Sequence, residues 1–390
     1  MTHSPAYDKC LSTMNRIPFN QATLADSAFA NIREAFDDKH ISGDGPFSRR
    51  CQELLESLTG SRKVLLTTSC THALEMSTLL LGLQAGDEVL MPAFTFVSTA
   101  NAFALFGARP VFCDIRSDTL NLDEQRIEER ITTRTRAIVP VHYAGVGCEM
   151  DAIVQLAARH GLAIVEDNAH GLFGRYRGLA LGSFGCTAAL SFHETKNITC
   201  GEGGALLIND PRYIERAEII REKGTDRSKF FRGQIDKYSW VDLGSSYLPS
   251  DILAAVLFAQ LERWQEIQRR RKEIWERYAA GLAAWANSHD VRLPYIPPHC
   301  EQAWHMFYLI MPTERSRDEL IAFLKQREIT SVFHYLPLHL SPMGRRFGGQ
   351  PGDCPVTESV SGRLLRLPFY GNLSHAQQDR VIEAVVSWPG

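Results

Sequence analysis

Lys196 stands in the run Ser191-Phe192-His193-Glu194-Thr195-Lys196-Asn197, shortly before Gly201-Glu202-Gly203-Gly204. Short apolar runs at 187–190 and 205–208 flank this stretch and read as buried strands, which places the lysine on a turn between two core elements. A lysine ordinarily belongs on a solvated face, because its charge is costly to bury. Held in a glycine-flanked turn between buried strands, it can have its pKa lowered and serve as an amine nucleophile, able to form a Schiff base. Taken alone, the plainer reading is an ordinary lysine-bearing turn.

Three further groupings carry chemistry. Val165-Glu166-Asp167-Asn168-Ala169-His170 puts two carboxylates and a histidine just past an apolar strand, where open α/β sheets bind ligands. Asp167 could pair with a protonated pyridine nitrogen and His170 could hydrogen-bond a phenolic oxygen. The plainer reading is a turn cap by Asp167 or Asn168, and a metal site lacks further ligands at suitable spacing. Thr67-Thr68-Ser69-Cys70-Thr71-His72-Ala73 joins a strand to a helix and offers free N–H groups and hydroxyls, a natural phosphate site or else an ordinary N-cap. Phe94-Thr95-Phe96 follows Pro92 at another strand end, where an aromatic face could stack on a planar ring or simply join the core. A phosphate-type helix start, an aromatic, an acid and a lysine, in that order and each at a strand end, together fit one pyridoxal phosphate site.

The elements needed to position these groups are legible in the chain. Strands are expected at 63–67, 88–91, 110–113, 137–141 and 162–166, with helices at 71–83, 96–106, 123–131 and 151–160 between them. Alternation of this kind means βαβ units, and continuously apolar strands mean helices on both faces of a mostly parallel sheet. Before them, 19–59 has a helical pattern broken at Ser42-Gly43-Asp44-Gly45-Pro46. After Pro249 a helical pattern runs to about Ala286. A smaller α+β unit follows, with strands at 306–311 and 329–333 and helices at 318–326 and 377–386. The expected division is a large α/β unit over 1–248 and a small C-terminal unit over 249–390.

Composition narrows the function classes. The 390 residues are 44% hydrophobic and 22% charged with a formal net charge of −3, as in ordinary globular chains. No basic tail or Lys/Arg block is present, which argues against a nucleic-acid partner. No apolar run reaches the roughly 18 residues of a membrane span, and residues 1–16 are polar and lack the apolar stretch of a secretory signal. The nine cysteines are odd in number and show no disulfide framework. Cys51, Cys113 and Cys186 are expected as buried free thiols, and the cytoplasm as the compartment.

From about Pro18 to its C-terminus the chain resembles the fold type I nucleotide-sugar aminotransferases. The resemblance is carried by Ser191–Asn197, Gly201-Glu-Gly-Gly, Arg221-Glu-Lys-Gly-Thr, Gly244-Ser-Ser-Tyr-Leu-Pro-Ser-Asp and Val332-Phe-His-Tyr-Leu-Pro-Leu-His339. These motifs look most like the dTDP-4-amino-4,6-dideoxygalactose transaminases of enterobacterial common antigen synthesis. The resemblance implies a homodimer with shared sites, taking dTDP-4-dehydro-6-deoxy-D-glucose and L-glutamate. By the same resemblance Lys196 forms the Schiff base and moves protons, Asp167 meets the pyridine nitrogen, His170 the ring oxygen and Phe96 the ring face. Ser69, Cys70, Thr71 and Ser191 match phosphate contacts, while Ser246 replaces an asparagine that usually reaches the neighbouring subunit's phosphate. Cys70 stands where glycine is common, and Leu248 where arginine is common, which puts a charged contact to the donor carboxylate there in doubt. Residues 334–339 and 221–232 are expected to orient the sugar. The rival readings are the gluco epimer, a UDP sugar, or a non-catalytic protein keeping the fold. A related dehydratase carries histidine in place of the lysine, so Lys196 argues against it.

Overall fold

The computed structural model describes residues 16–390; the polar N-terminal stretch discussed above lies almost wholly outside the described residues. Helices α1 (Ser27–Asp37) and α2 (Pro46–Thr59) open the fold. There follow β1 (Lys63–Thr67), α3 (Cys70–Leu81), β2 (Glu88–Pro92), α4 (Val97–Ala104), β3 (Arg109–Cys113), β4 (Thr135–Ile138), α5 (Met150–His160) and β5 (Ala163–Asp167). After a small hairpin of β6 (Arg175–Tyr176) and β7 (Leu179–Ala180) come β8 (Thr187–Ser191) and β9 (Gly204–Ile208). The seven strands of the main sheet lie in the order β1-β9-β8-β5-β4-β2-β3. Pairings β2/β3, β2/β4, β4/β5 and β5/β8 are parallel, whereas β9 runs antiparallel to both β8 and β1. Every strand but β9 therefore points the same way, and the carboxyl ends of β1, β2, β4, β5 and β8 open on one edge. The fold is the mostly parallel α/β architecture of fold type I, with β2 and β9 buried along their whole length, as layers of helix on both faces require.

Past α6 (Ile214–Arg221) and the short α7 (Arg227–Phe231), helix α8 (Asp251–Leu261) packs with α1 and α2 around Phe47, Leu55 and Phe258. The core changes along the next helix, α9 (Trp264–Ser288), whose Ile274, Trp275, Tyr278 and Leu282 join Phe307, Leu320 and Leu365. Strand β10 (Cys300–Glu301) pairs with β6 of the hairpin, and the second core supports a three-stranded antiparallel sheet in the order β11 (Tyr308–Ile310), β13 (Leu364–Arg366), β12 (Val332–Phe333).

Three local expectations are corrected. Residues 123–131 form two separate 3-10 turns, Glu124–Arg126 and Glu128–Arg130, instead of one helix. Only Ile127 among them is buried, so no apolar stripe exists to hold a helix against the sheet, and Arg116 draws Glu124 aside at 2.9 Å. The segment before α1 forms no helix, although a helical pattern was expected from residue 19 onward. Its Ile17 bridges to Ile329 in the small unit, and Asn20 Nδ2 donates to the Glu194 carbonyl at 3.2 Å. Cys186 is only half-buried, while Cys51 and Cys113 are buried free thiols. Strand β13 and the β6–β7 hairpin were not foreseen, being too short to leave a period-2 pattern.

Candidate functional site

The connection between β8 and β9 is a closed loop. Phe192 N–H donates to the Gly203 carbonyl at 2.8 Å and Cys200 N–H to the Phe192 carbonyl at 3.1 Å, which pinches its base. At its tip the Lys196 N–H donates to the His193 carbonyl at 2.9 Å. Gly204, the first residue of β9, lies directly on the start of α3. A Cβ there would stand 2.3 Å from Ser69 C and 2.4 Å from Cys70 N, closer than any real contact. Glycine at 204 is what lets the lysine loop and the helix N-terminus share one wall.

Ser69 caps α3, its Oγ accepting the His72 N–H at 3.1 Å. The capping expectation and the ligand expectation therefore fall on the same residue, since the first N–H groups of the helix, at Cys70 and Thr71, have no intrahelical acceptor and both residues line the same cavity as Ser69. The helix dipole adds partial positive charge there. Thr71 Oγ1 donates to Ser98 Oγ at 2.8 Å, and Ser191 lies on the same lining at the end of β8.

Glu166 and Asp167 are neighbours on β5 and so point to opposite faces. Glu166 is fully buried on the far side, pairing with His142 at 2.8 Å and accepting the N–H groups of Gly182, Phe184 and Gly185. It is a structural clamp. Asp167 faces the cavity, where its Oδ2 accepts the Thr99 hydroxyl at 2.6 Å and its Oδ1 the Ala169 N–H at 3.2 Å. Thr95 in turn bonds Thr99 at 2.8 Å. A carboxylate has lone pairs beyond these two, so Asp167 can still accept a charged donor.

His170 is buried, with its ring stacked on His305 at 4.2 Å and 18°. Burial, helped by the nearby charges of Lys196 and Arg366, pushes its pKa well below the usual value, so its ring is neutral. Its Nδ1 is buried with no hydrogen-bond partner, a cost that a bound group would remove. His305 is held in place by Asn197 Oδ1, 2.8 Å from its Nδ1.

The cavity these residues line has a volume of about 680 Å³. Lys196 enters it half-buried; desolvation lowers its pKa to about 8, with Arg366 adding to the effect and Asp167 opposing it. At neutral pH such an amine is uncharged roughly 300-fold more often than one at pKa 10.5. Phe96 is the N-cap residue of α4 and stands at the rim, 56% exposed and 6.2 Å from the Tyr335 ring.

Eight expected site residues thus meet in one cavity: Ser69, Cys70, Thr71, Phe96, Asp167, His170, Ser191 and Lys196. Ser246 does not: it is exposed, bridges Glu222, and lies outside the cavity of its own chain. Leu248 is also outside it, packed against Gly43. Of the segments expected to orient a sugar, His334, Tyr335 and Leu336 line the cavity, whereas His339 is buried against Glu358 at 2.9 Å. Arg221 is likewise structural, buried and paired with Asp44 at 2.6 Å. The sequence reading missed Thr99, Asn197, His305 and Arg366. The spacing of Phe96 and Thr99 across the first turn of α4 was an available signal for the first of these, while His305 and Arg366 come from the distant small unit.

The donor set fits a planar pyridine ring bearing a phosphate and a ring oxygen. A helix N-terminus with hydroxyls would suit the phosphate, a carboxylate a protonated ring nitrogen, and an unpartnered imidazole the oxygen. A lysine of lowered pKa stands among them.

Comparison with known proteins agrees with this chemistry. The profile of the DegT/DnrJ/EryC1/StrS aminotransferase family matches residues 23–386. The spore coat polysaccharide biosynthesis protein SpsC of Bacillus subtilis is 32% identical over 377 residues, spanning 95% of this chain and 96% of its own. Among solved structures, the aminotransferase TlmJ from Streptoalloteichus hindustanus superposes with a TM-score of 0.88 at 31% identity, covering 95% of this chain and 98% of its own. A candidate sugar aminotransferase from Streptococcus pneumoniae, Spr1654 in its PMP form, gives a TM-score of 0.89 at 26% identity, covering 95% and 97%.

Proposed function

The chain belongs to the DegT/DnrJ/EryC1/StrS aminotransferase family, with pyridoxal phosphate as its cofactor, and from that premise we propose that its acceptor is a nucleotide-linked ketosugar. In this reading L-glutamate gives its amino group to C4 of dTDP-4-dehydro-6-deoxy-D-glucose, forming dTDP-4-amino-4,6-dideoxy-D-galactose. The observation that carries the reaction class is the convergence of Lys196, Asp167 and His170 with the α3 N-terminus in one cavity. The motifs at 191–197, 221–225, 244–251 and 332–339 support the sugar, and the likeness to a polysaccharide biosynthesis protein and to a candidate sugar aminotransferase supports its class.

When bound, the cofactor supplies a carbonyl carbon for the amine and an electron-poor ring that draws electrons from the substrate carbon. The residues of the chain do the rest. Lys196 Nζ, its pKa lowered by desolvation, would supply the amine that holds the cofactor and would carry the proton to and from the reacting carbon. Asp167, aimed by the Thr99 hydroxyl, would hold a proton on the ring nitrogen. His170 Nδ1 would meet the ring oxygen, with the stacked His305 fixing its plane. Ser69, Cys70, Thr71 and Ser191 would hold the phosphate, and Phe96 at the rim would cover the ring face. Ser246, exposed and outside its own cavity, is assigned to the site of a second copy in a homodimer.

Product stereochemistry is set by the face of the sugar carbon that Lys196 protonates. With the lysine fixed on its loop, the sugar's orientation must come from the lining around His334–Leu336 and from binding energy of the remote nucleotide. Incubation with dTDP-4-dehydro-6-deoxy-D-glucose and L-glutamate is expected to yield an axial C4 amine, seen as a small H3–H4 coupling in the proton NMR spectrum. A large diaxial coupling would mean the gluco epimer, and no aminated product would remove this substrate.

A further inference from the structure

Two more histidines line the cavity beside His170: His305, stacked on it at 4.2 Å, and His334, whose ring centre stands 6.2 Å away. The hydrogen bonds at the Nδ1 atoms of these two rings fix their tautomers, and fix them oppositely. Asn197, the residue after Lys196, sets the first. Its Nδ2 donates to the Ala303 carbonyl at 2.5 Å, and a carbonyl can only accept. The Asn197 Oδ1 is therefore the atom that faces His305 Nδ1 at 2.8 Å, so Nδ1 carries the proton and Nε2 is a bare acceptor. Tyr143 sets the second. Its hydroxyl is fully buried, and His334 Nδ1 at 2.9 Å is its one hydrogen-bond partner among the described residues. The phenolic hydrogen must go there or be left unpaired at a cost, so His334 carries its own proton on Nε2 and is a donor. Burial pushes the pKa of both rings well below the usual value, which keeps them neutral. Among the described residues neither Nε2 bonds a protein group, and neither is sealed off. The backbone under His305 is held as well. Arg271 Nε and Nη2 donate to the carbonyls of Trp304 and His305 at 2.9 and 2.6 Å, and Trp304 is kept at a φ of +53°, a left-handed conformation that is costly for an aromatic residue.

We propose that His305 is a specificity-determining residue that accepts, at Nε2, the hydrogen of the hydroxyl next to the ketone of the acceptor sugar, while His334 donates from Nε2 to an oxygen of the same sugar. The inference rests on the ketosugar reading above. A bare imidazole nitrogen has no use for a carboxylate or phosphate oxygen, since both would bring only lone pairs. It takes a ligand that donates. A hydroxyl can both donate and accept, so a wall with one fixed acceptor and one fixed donor suits a hydroxylated ring. In a 4-keto-6-deoxyhexose the ketone carbon is bonded to C3 and C5. C5 carries the ring oxygen and the methyl, which leaves the C3 hydroxyl as the one beside the reacting carbon. That carbon must come to Lys196, and Asn197 ties His305 to the residue next to that lysine.

The test crosses the side chain with the hydroxyl. The amine form of the holoenzyme is mixed with dTDP-4-dehydro-6-deoxy-D-glucose or with its 3-deoxy analogue, and the aldehyde form with L-glutamate, each followed by the cofactor absorbance. Wild type is expected to react about 10-fold less efficiently with the 3-deoxy sugar, the worth of one hydrogen bond. His305→Phe keeps an aromatic ring against His170 but removes Nε2. It should lose about the same factor with the parent sugar and no longer distinguish the two sugars, with a smaller change toward glutamate. Nitrogen-15 NMR of the histidine-labelled wild-type protein reads the tautomers without any variant, and should show the proton on Nδ1 of His305 and on Nε2 of His334. The opposite tautomer at either ring would overturn the proposal. So would a wild type indifferent to the C3 hydroxyl, or a His305→Phe enzyme that still prefers the parent sugar or is slowed equally toward glutamate, since His305 would then be only a prop for His170. A wild type that reacts with glutamate but aminates no ketosugar would overturn the acceptor reading, and this proposal with it, while the tautomers found by NMR would stand.

Discussion

Lys196→Ala is expected to lower transamination by about 10⁴-fold or more, because the amine that holds the cofactor and the group that moves the proton disappear together. The fold should survive. The loop between β8 and β9 is held by backbone bonds at its base, Phe192 to Gly203 and Cys200 to Phe192, and the lysine side chain takes no part in them. Removing a desolvated amine also removes a burial cost, so the variant should unfold at a temperature no lower than that of the apo wild type. The checks are steady-state turnover and a thermal melt on the same preparation. Turnover within tenfold of wild type would mean that another group performs both tasks.

Asp167→Asn should retain the cofactor and lose about 100-fold in rate. A buried hydrogen bond between charged partners is worth about 3 kcal/mol, which converts to that factor, and a neutral amide cannot keep the ring nitrogen protonated. The amide oxygen can still accept the Thr99 hydroxyl that Asp167 Oδ2 now accepts at 2.6 Å, so local packing is preserved. Asp167→Glu should be the milder change if the longer side chain finds the same partner. A near-normal rate for the asparagine variant, with cofactor content unchanged, would reduce Asp167 to a cap on the Ala169 N–H.

These residues were legible in the chain because each combines an unusual side chain with a strand end. Lys196 stands between two apolar runs, and Asp167 follows one. Ser69 opens a helix directly after β1. The parallel sheet then does the assembly, since strands that share a direction deliver their carboxyl ends to one edge. Alternation along β5 explains why Asp167 and not Glu166 faces the cavity, a choice that two adjacent acids do not reveal without the neighbouring strands. Other parts left no such mark. Arg366 sits in Arg363-Leu364-Leu365-Arg366, where nothing in the spacing separates it from Arg363, and only the pairing of β13 with β11 and β12 brings it to the cavity. Arg221 misled for the complementary reason. Its charge suggested a ligand contact, but Asp44, distant in sequence, already neutralises it.

The central claim is that Lys196 carries the cofactor in this cavity. Borohydride reduction of the purified holoenzyme, followed by digestion and mass mapping of the peptides, tests it most directly. The expected result is a pyridoxyl adduct on the peptide containing Lys196 and no other, because no second lysine lines the cavity among the described residues. An adduct confined to a different lysine, or holoenzyme that takes up no hydride, would contradict the account.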